Sequence, residues 1–115
     1  MSKQILEDTQ DVLTNCIMSI NDFTKENLNE HITFMKKAIA HLHDNVLTQE
    51  ALNKTNNTVV NELLGKINRN IIAFSRAALD NLTVENFEDK KPMLVAWLSY
   101  YEKQVINFLS NEKRF

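Results

Sequence analysis

The side chains best suited to chemistry in this chain of 115 residues are three histidines, at positions 31, 41 and 43, and one cysteine, at position 16. Helical bundles often bind metals through Glu-x-x-His on an inward face. None of the histidines follows Glu or Asp at that spacing. His41 and Asp44 lie one helical turn apart, but two ligands do not make a metal site. We therefore expect no metal and no other cofactor.

His41 has a second interpretation, because histidine phosphotransfer domains are four-helix bundles with an exposed histidine in mid-helix. Such domains generally carry Lys three residues and Gly four residues after the histidine. His41 is followed there by Asp44 and Asn45, and a carboxylate repels a phosphoryl group. Phosphotransfer, or binding of a small ligand through His41 or a core cavity, is therefore kept as the alternative function.

Cys16 lies among Leu13, Ile17 and Ile20 on the apolar side of the first predicted helix. A buried cysteine behaves as a small hydrophobic residue with a raised pKa, not as a nucleophile. The single glycine, Gly65, cannot make a glycine-rich phosphate loop. These residues indicate a protein that is not an enzyme.

A repeated phrase shows how the helices begin. "FTKENL" at 23–28 recurs as "LTQEAL" at 47–52 and "LTVENF" at 82–87. Threonine is a good N-cap, and a glutamate in the first turn is favoured by the helix dipole. The flanking apolar residues fit a hydrophobic staple. The phrase predicts helix starts at Thr24, Thr48 and Thr83.

The fold class follows from these starts and from apolar residues at helical spacing. We predict an all-α protein, an antiparallel up-and-down four-helix bundle built from two similar helical hairpins. The domain covers residues 1–115, with hairpin one at about 1–46, a connector at 47–57 and hairpin two at about 58–111. The connector should hold a short helical turn after Thr48, and the next main helix should begin at about Thr58. Pro92 predicts a break or kink near residues 88–91. Four core positions should be almost fully buried, namely Leu13, Ile39, Ile71 and Leu98.

Internal similarity supports the two hairpins. A shift of 59 residues superposes "INDFTKENLNE" on "LDNLTVENFED". The same shift places Val12 on Ile71, Leu13 on Ile72, Met35 on Leu94 and Val46 on Val105.

A second stripe of residues runs beside the core stripe of the second long helix, and the shift pairs it with a stripe on the last helix. Wide apolar faces that reach under neighbouring helices explain such stripes equally well. Aromatic residues and methionine are, however, enriched in interface cores. We therefore predict a non-enzymatic protein-binding module, such as an adaptor, an inhibitor or immunity-type protein, or a small chaperone. Its partner would be another protein or a second copy of the chain, giving a homodimer. The predicted partner-binding residues are His31, Phe34, His41, Met93, Trp97 and Tyr100, with Ala38 and Lys90 completing the two stripes.

Charge and hydropathy limit the other partners. The net charge is −2 with both signs interspersed, so we expect no nucleic-acid binding. The longest apolar run, "MLVAWL" at 93–98, is too short to cross a bilayer, and no apolar segment follows Met1. We therefore expect no membrane association and a cytoplasmic location.

Overall fold

All regular secondary structure is helical in the computed structural model, which describes residues 2–55 and 57–113. Met1, Asn56, Arg114 and Phe115, which the predicted ranges include, lie outside the described residues. Two of the helices end in a wider π-helical turn. The elements are α1 (Ser2–Asn21), α2 (Leu28–His41) with a π turn at Leu42–Val46, α3 (Gln49–Asn53), α4 (Thr58–Ala73) with a π turn at Phe74–Leu79, and α5 (Phe87–Lys113).

The connector has the predicted form. The Thr48 hydroxyl accepts a hydrogen bond from the Ala51 N–H at 3.1 Å, which confirms Thr48 as the N-cap of α3. The main helix then begins at Thr58, as expected. Its cap is Asn57, whose side-chain oxygen accepts from the N–H groups of Val59 and Val60 at 2.9 and 3.2 Å.

The loop before α2 is capped in both directions. The Thr24 hydroxyl accepts from the Asn27 N–H at 3.2 Å and so closes the turn before α2, but the N-cap of α2 is Asn27 and not Thr24 as predicted. Asn27 Oδ1 accepts in return from the Thr24 N–H at 2.6 Å, and Asn27 Nδ2 donates to the Asp22 carbonyl at 3.0 Å. This is a capping box in which asparagine takes the position usual for glutamate or glutamine. Asn27 completes the box, whereas the preceding Glu26 was predicted only to be favoured by the helix dipole.

The loop before α5 repeats these bonds. The Thr83 hydroxyl accepts from the Asn86 N–H at 3.2 Å, and Asn86 Oδ1 accepts from the Thr83 N–H at 2.9 Å. Asn86 Nδ2 donates to the Asn81 carbonyl at 3.0 Å. The regular helices α2 and α5 therefore begin at Leu28 and Phe87, four residues beyond Thr24 and Thr83, so the predicted helix starts at these two threonines are wrong.

The two capped loops meet at one end of the molecule. The rings of Phe23 and Phe87 pack edge to face, with centroids 6.3 Å apart. Lys91 Nζ donates to the Phe23 carbonyl at 3.3 Å and lies 5.7 Å from the Phe87 ring centroid. The residues predicted to form hydrophobic staples are all buried: Phe23, Leu28, Leu47, Leu52, Leu82 and Phe87.

The four core predictions are confirmed, since Leu13, Ile39, Ile71 and Leu98 are each at most 3% exposed. Two buried polar residues of α1, Thr9 and Ser19, were missed because the predicted stripes contain only apolar residues and cysteine or tyrosine. Thr9 is fully buried, and its hydroxyl donates to the Ile5 carbonyl at 2.7 Å. That bond removes the cost of burying an unpaired hydroxyl.

The prediction of a break near Pro92 is wrong, because α5 continues through this residue as one helix. Pro92 lacks the N–H that would bond to the Glu88 carbonyl. Both Pro92 and Glu88 are exposed, so water can satisfy this carbonyl and no buried polar group is left unpaired.

The π turn of α4 changes which residues of α1 and α4 occupy matching positions in the two hairpins. Leu13 and Ile71, 58 residues apart, are both buried, whereas Val12 and Ile72 are only partly buried. Beyond the π turn the spacing of buried residues returns to 59, as between Ile20 and Leu79. A π turn accommodates one extra residue in a helix. The predicted pairs Val12–Ile71 and Leu13–Ile72 were therefore out of register by one residue.

The π turn of α2 has the same effect. Ile39 and Leu98, 59 residues apart, are both buried. After the turn the buried pair is Leu47 and Val105, 58 residues apart, while Val46 is partly buried. The predicted pair Val46–Val105 was thus also out of register by one residue.

Candidate partner-binding face

The predicted stripe of α5 lies along α4. Met93 and Tyr100 are 52% and 54% exposed, whereas Lys90 and Trp97 are partly buried. We call this surface the α4–α5 face, defined by Lys90, Met93, Trp97 and Tyr100 of α5 together with Ala77 and Ala78 of α4.

Trp97 forms the floor of this face. Its ring packs edge to face on Phe74, which is fully buried, with centroids 5.1 Å apart. Trp97 is thus anchored in the core on one side and partly exposed on the other. Beside it lies a pocket of about 200 Å³ between α4 and α5. The residues lining this pocket are Ala77, Ala78, Lys90, Met93, Leu94 and Trp97.

Tyr100 is supported from below by its neighbour. The rings of Tyr100 and Tyr101 pack edge to face, with centroids 5.1 Å apart. The Tyr101 hydroxyl accepts a hydrogen bond from Asn70 Nδ2 of α4. A ring held in this way loses little conformational entropy when a partner packs on it.

The predicted stripe of α2 has different surroundings. Phe34 is 48% exposed and His41 is exposed, while His31 and Ala38 are partly buried. The His31 ring lies against Phe23, with centroids 5.8 Å apart. His41 Nδ1 lies 3.3 Å from the Asn45 side-chain nitrogen, one turn further along.

The α2 and α5 stripes lie on different sides of the molecule. Lys36 of α2 forms an ion pair with Asp80, at the end of α4. Phe34 precedes Lys36 by two residues, which is a rotation of about 200° around a helix. Phe34 therefore points away from α4, whereas Trp97 packs on α4. The structure brings Met93, Trp97 and Tyr100 together and separates them from Phe34 and His41.

The described residues contain no group of three or more His, Cys, Asp or Glu side chains that could hold a metal ion. The predicted state of Cys16 is confirmed, since it is fully buried and burial raises the pKa of its thiol to about 12. Cys16 is therefore a neutral core residue. Within residues 2–55 and 57–113, no helix is both long and apolar enough to cross a membrane.

Comparison of the chain with protein-family models, curated proteins and solved structures finds no match. Ala77 and Ala78, which form the α4 wall of the pocket, were not among the predicted partner-binding residues. Their signal was the pair of small residues in a helix otherwise rich in large apolar side chains. Only the packing of α4 on α5 shows that this pair faces Trp97.

Proposed function

We propose that this chain is a non-enzymatic protein-binding module that binds its partner through the α4–α5 face. One observation carries the proposal. The half-exposed Met93 lines a pocket floored by a tryptophan that is anchored in the core, and the half-exposed Tyr100 lies three residues beyond this tryptophan on the same side of α5. Methionine, tyrosine and tryptophan are enriched at interfaces, and hot spots combine anchored aromatics with pockets.

The proposed scaffold is an antiparallel up-and-down four-helix bundle of α1, α2, α4 and α5, built from two similar hairpins. Contacts between helices support it. Within each pair of neighbouring helices, a contact further along one helix is made with a residue nearer the start of the other, as antiparallel packing requires. The supporting pairs are Thr14–Glu102 and Phe23–Phe87, Lys36–Asp80 and His43–Asn68, and Asn70–Tyr101 and Phe74–Trp97. The matching Thr-x-x-Asn capping boxes support the similarity of the two hairpins.

The partner we propose is an amphipathic helix of another protein. Two neighbouring helices form an elongated surface, and such surfaces commonly receive the apolar face of a third helix. Lys90 borders the pocket, so an acidic residue beside the apolar anchors would complement it. A second copy of the chain is the competing occupant.

The test begins with a photo-cross-linking residue placed at Met93, and at Met18 of α1 as the control. Met18 is 58% exposed, so it matches Met93 in size and exposure. We expect Met93 adducts with a protein that Met18 does not capture. Adducts only with the chain itself, together with dimers in sedimentation velocity, would assign the face to a homodimer instead.

The purified partner then allows a quantitative test. Tyr100→Glu should weaken binding by about 30-fold, equivalent to about 2 kcal/mol, as at interface hot spots. Its melting temperature should stay near that of the wild type, because the side chain is half exposed. Met18→Glu should leave the affinity unchanged. Equal affinities for all three proteins would refute the proposal.

A further inference from the structure

A second concave surface lies between α3 and α4 and shares no residue with the pocket beside Trp97. It is a groove of about 570 Å³. On the α4 side Glu62, Gly65, Lys66 and Arg69 line it at steps of three and four residues, so they share one side of the helix. Asn61 Nδ2 donates to the Leu52 carbonyl at 3.0 Å and so ties α3 to α4. This hydrogen bond links the two walls of the groove.

Gly65, the only glycine of the chain, has no evident role in the fold. It lies inside α4, where glycine is less favourable than alanine. No residue in the described ranges has a positive φ, so the backbone does not require glycine here. A Cβ at this position would meet only Arg69 Nη1, at 3.6 Å, which is an ordinary contact. The bare backbone instead leaves room in the groove for a ligand.

The charges of the groove favour an anion. Lys66 and Arg69 both line it, and no described carboxylate lies within salt-bridge distance of either. Glu62 is the one acidic residue in the lining, so the groove has an excess of positive charge.

We propose that this groove binds the phosphate group of a small organic phosphate. The Arg69 guanidinium can bind two phosphate oxygens as a fork, and the Lys66 ammonium supplies a point charge for a third. The groove is larger than one phosphate group, so Leu52 and the Gly65 backbone would contact the organic part. A tetrahedral phosphate uses donors from several directions, whereas a flat carboxylate is satisfied by the fork alone.

The test is a titration of the isotope-labelled full chain with inorganic pyrophosphate, followed by NMR at low and constant ionic strength. We expect saturable shifts confined to residues 49–69. Lys66→Gln and Arg69→Gln should each weaken binding by about 10-fold or more, as expected for charged hydrogen bonds. Lys103→Gln, on the exposed side of α5, is the matched control and should not change the affinity. Absence of saturable binding up to about 10 mM would overturn the proposal, since this corresponds to less than about 3 kcal/mol. Succinate binding as tightly as pyrophosphate would overturn the assignment to phosphate.

Two further variants separate the site from the fold. Gly65→Ala should raise the melting temperature by about 4 °C, because alanine is the better helix former. The same variant should weaken pyrophosphate binding by about 10-fold, because the new methyl group occupies the groove. Glu62→Gln should strengthen binding by about three-fold, since it removes the one opposing charge. If Gly65→Ala binds as tightly as the wild type, the glycine does not serve a ligand and the proposal fails.

Discussion

The first helix pair, α1 with α2, and the second, α4 with α5, share a loop type and many matching buried positions, but their surfaces differ. Their loops contain the same Thr-x-x-Asn capping box. Their surfaces differ where Ala38 of α2 corresponds to Trp97 of α5 at a spacing of 59 residues. Both positions are partly buried. The fold therefore accepts either a small or a large residue there, so the fold alone does not require the tryptophan.

The interiors differ at several matching positions, and at one of them the difference is coupled to the surface. Cys16 of α1 and Phe74 of α4 are both fully buried. They are 58 residues apart, which is the spacing of matching buried residues up to the π turn of α4. Phe74 supports Trp97, whereas the first pair has the smaller combination of Cys16 and Ala38. The second pair thus uses two large rings to form the floor of its pocket. This contrast is why we assign partner binding to the α4–α5 face.

Deletions that change the register of α4 give the strongest test of the match between the two helix pairs. Deleting Ala77 within the π turn should cost less than about 2 kcal/mol, because it restores an ordinary α-helix such as α1 has. Deleting Lys66 instead rotates the residues before it by about 100° and moves Val60 and Leu64 off the core. We expect the free energy of unfolding to fall by more than about 4 kcal/mol, because two large apolar side chains leave the core.

Urea unfolding followed by circular dichroism measures both deletions. Similar losses of stability would show that the π turn does not act as a one-residue insertion, and the equivalence of the two pairs would then be lost.

A medium effect is expected from Cys16, because the matching residue of α4 is Phe74, which cannot ionise. Burial raises its pKa from 9.0 to about 12. The unfolded chain therefore loses the thiol proton at lower pH than the folded chain does. Stability due to this group is complete below the unfolded pKa and falls as the pH rises from about 9 to 12, by up to about 1.4 kcal/mol per pH unit.

Unfolding free energies of the wild type and Cys16→Ala should be compared at about pH 8 and pH 10.5. The wild type should lose about 2 kcal/mol more than the variant over this range, from the same relation. Parallel pH profiles would show that the thiol is already able to ionise in the folded protein.

The smallest effects are expected at the caps. Asn27→Ala and Asn86→Ala each remove a hydrogen bond to a loop carbonyl and one from a threonine N–H. Each should cost about 1–2 kcal/mol, and Thr24→Ala or Thr83→Ala about 1 kcal/mol. Thr24→Ser should be nearly silent because it keeps the hydroxyl.

Thermal and urea unfolding of these variants check the prediction. Equal losses from alanine and serine at position 24 would mean that the hydroxyl does not cap α2.

The sequence by itself determined the helical class, the Thr48 cap, the start of α4 and the four tested core positions. These features depend on short-range physics. A threonine hydroxyl bonds to an N–H three residues away, and apolar side chains three or four residues apart share one side of a helix. Such relations can be predicted from spacing alone, which is why Leu13, Ile39, Ile71 and Leu98 were placed correctly.

The tertiary structure alone decided which surfaces the stripes form and how the helix pairs match. Phe34 and Met93 occupy matching positions at the 59-residue shift, but the neighbours of α2 and α5 place them on different sides of the molecule. Thr9 is fully buried because neighbouring helices cover this side of α1, although its hydrogen bond to the Ile5 carbonyl is local. The π turns shift the register by one residue because packing, not local propensity, selects where a helix holds an extra residue. These outcomes depend on contacts between residues distant in the chain, and periodicity carries no information about such contacts.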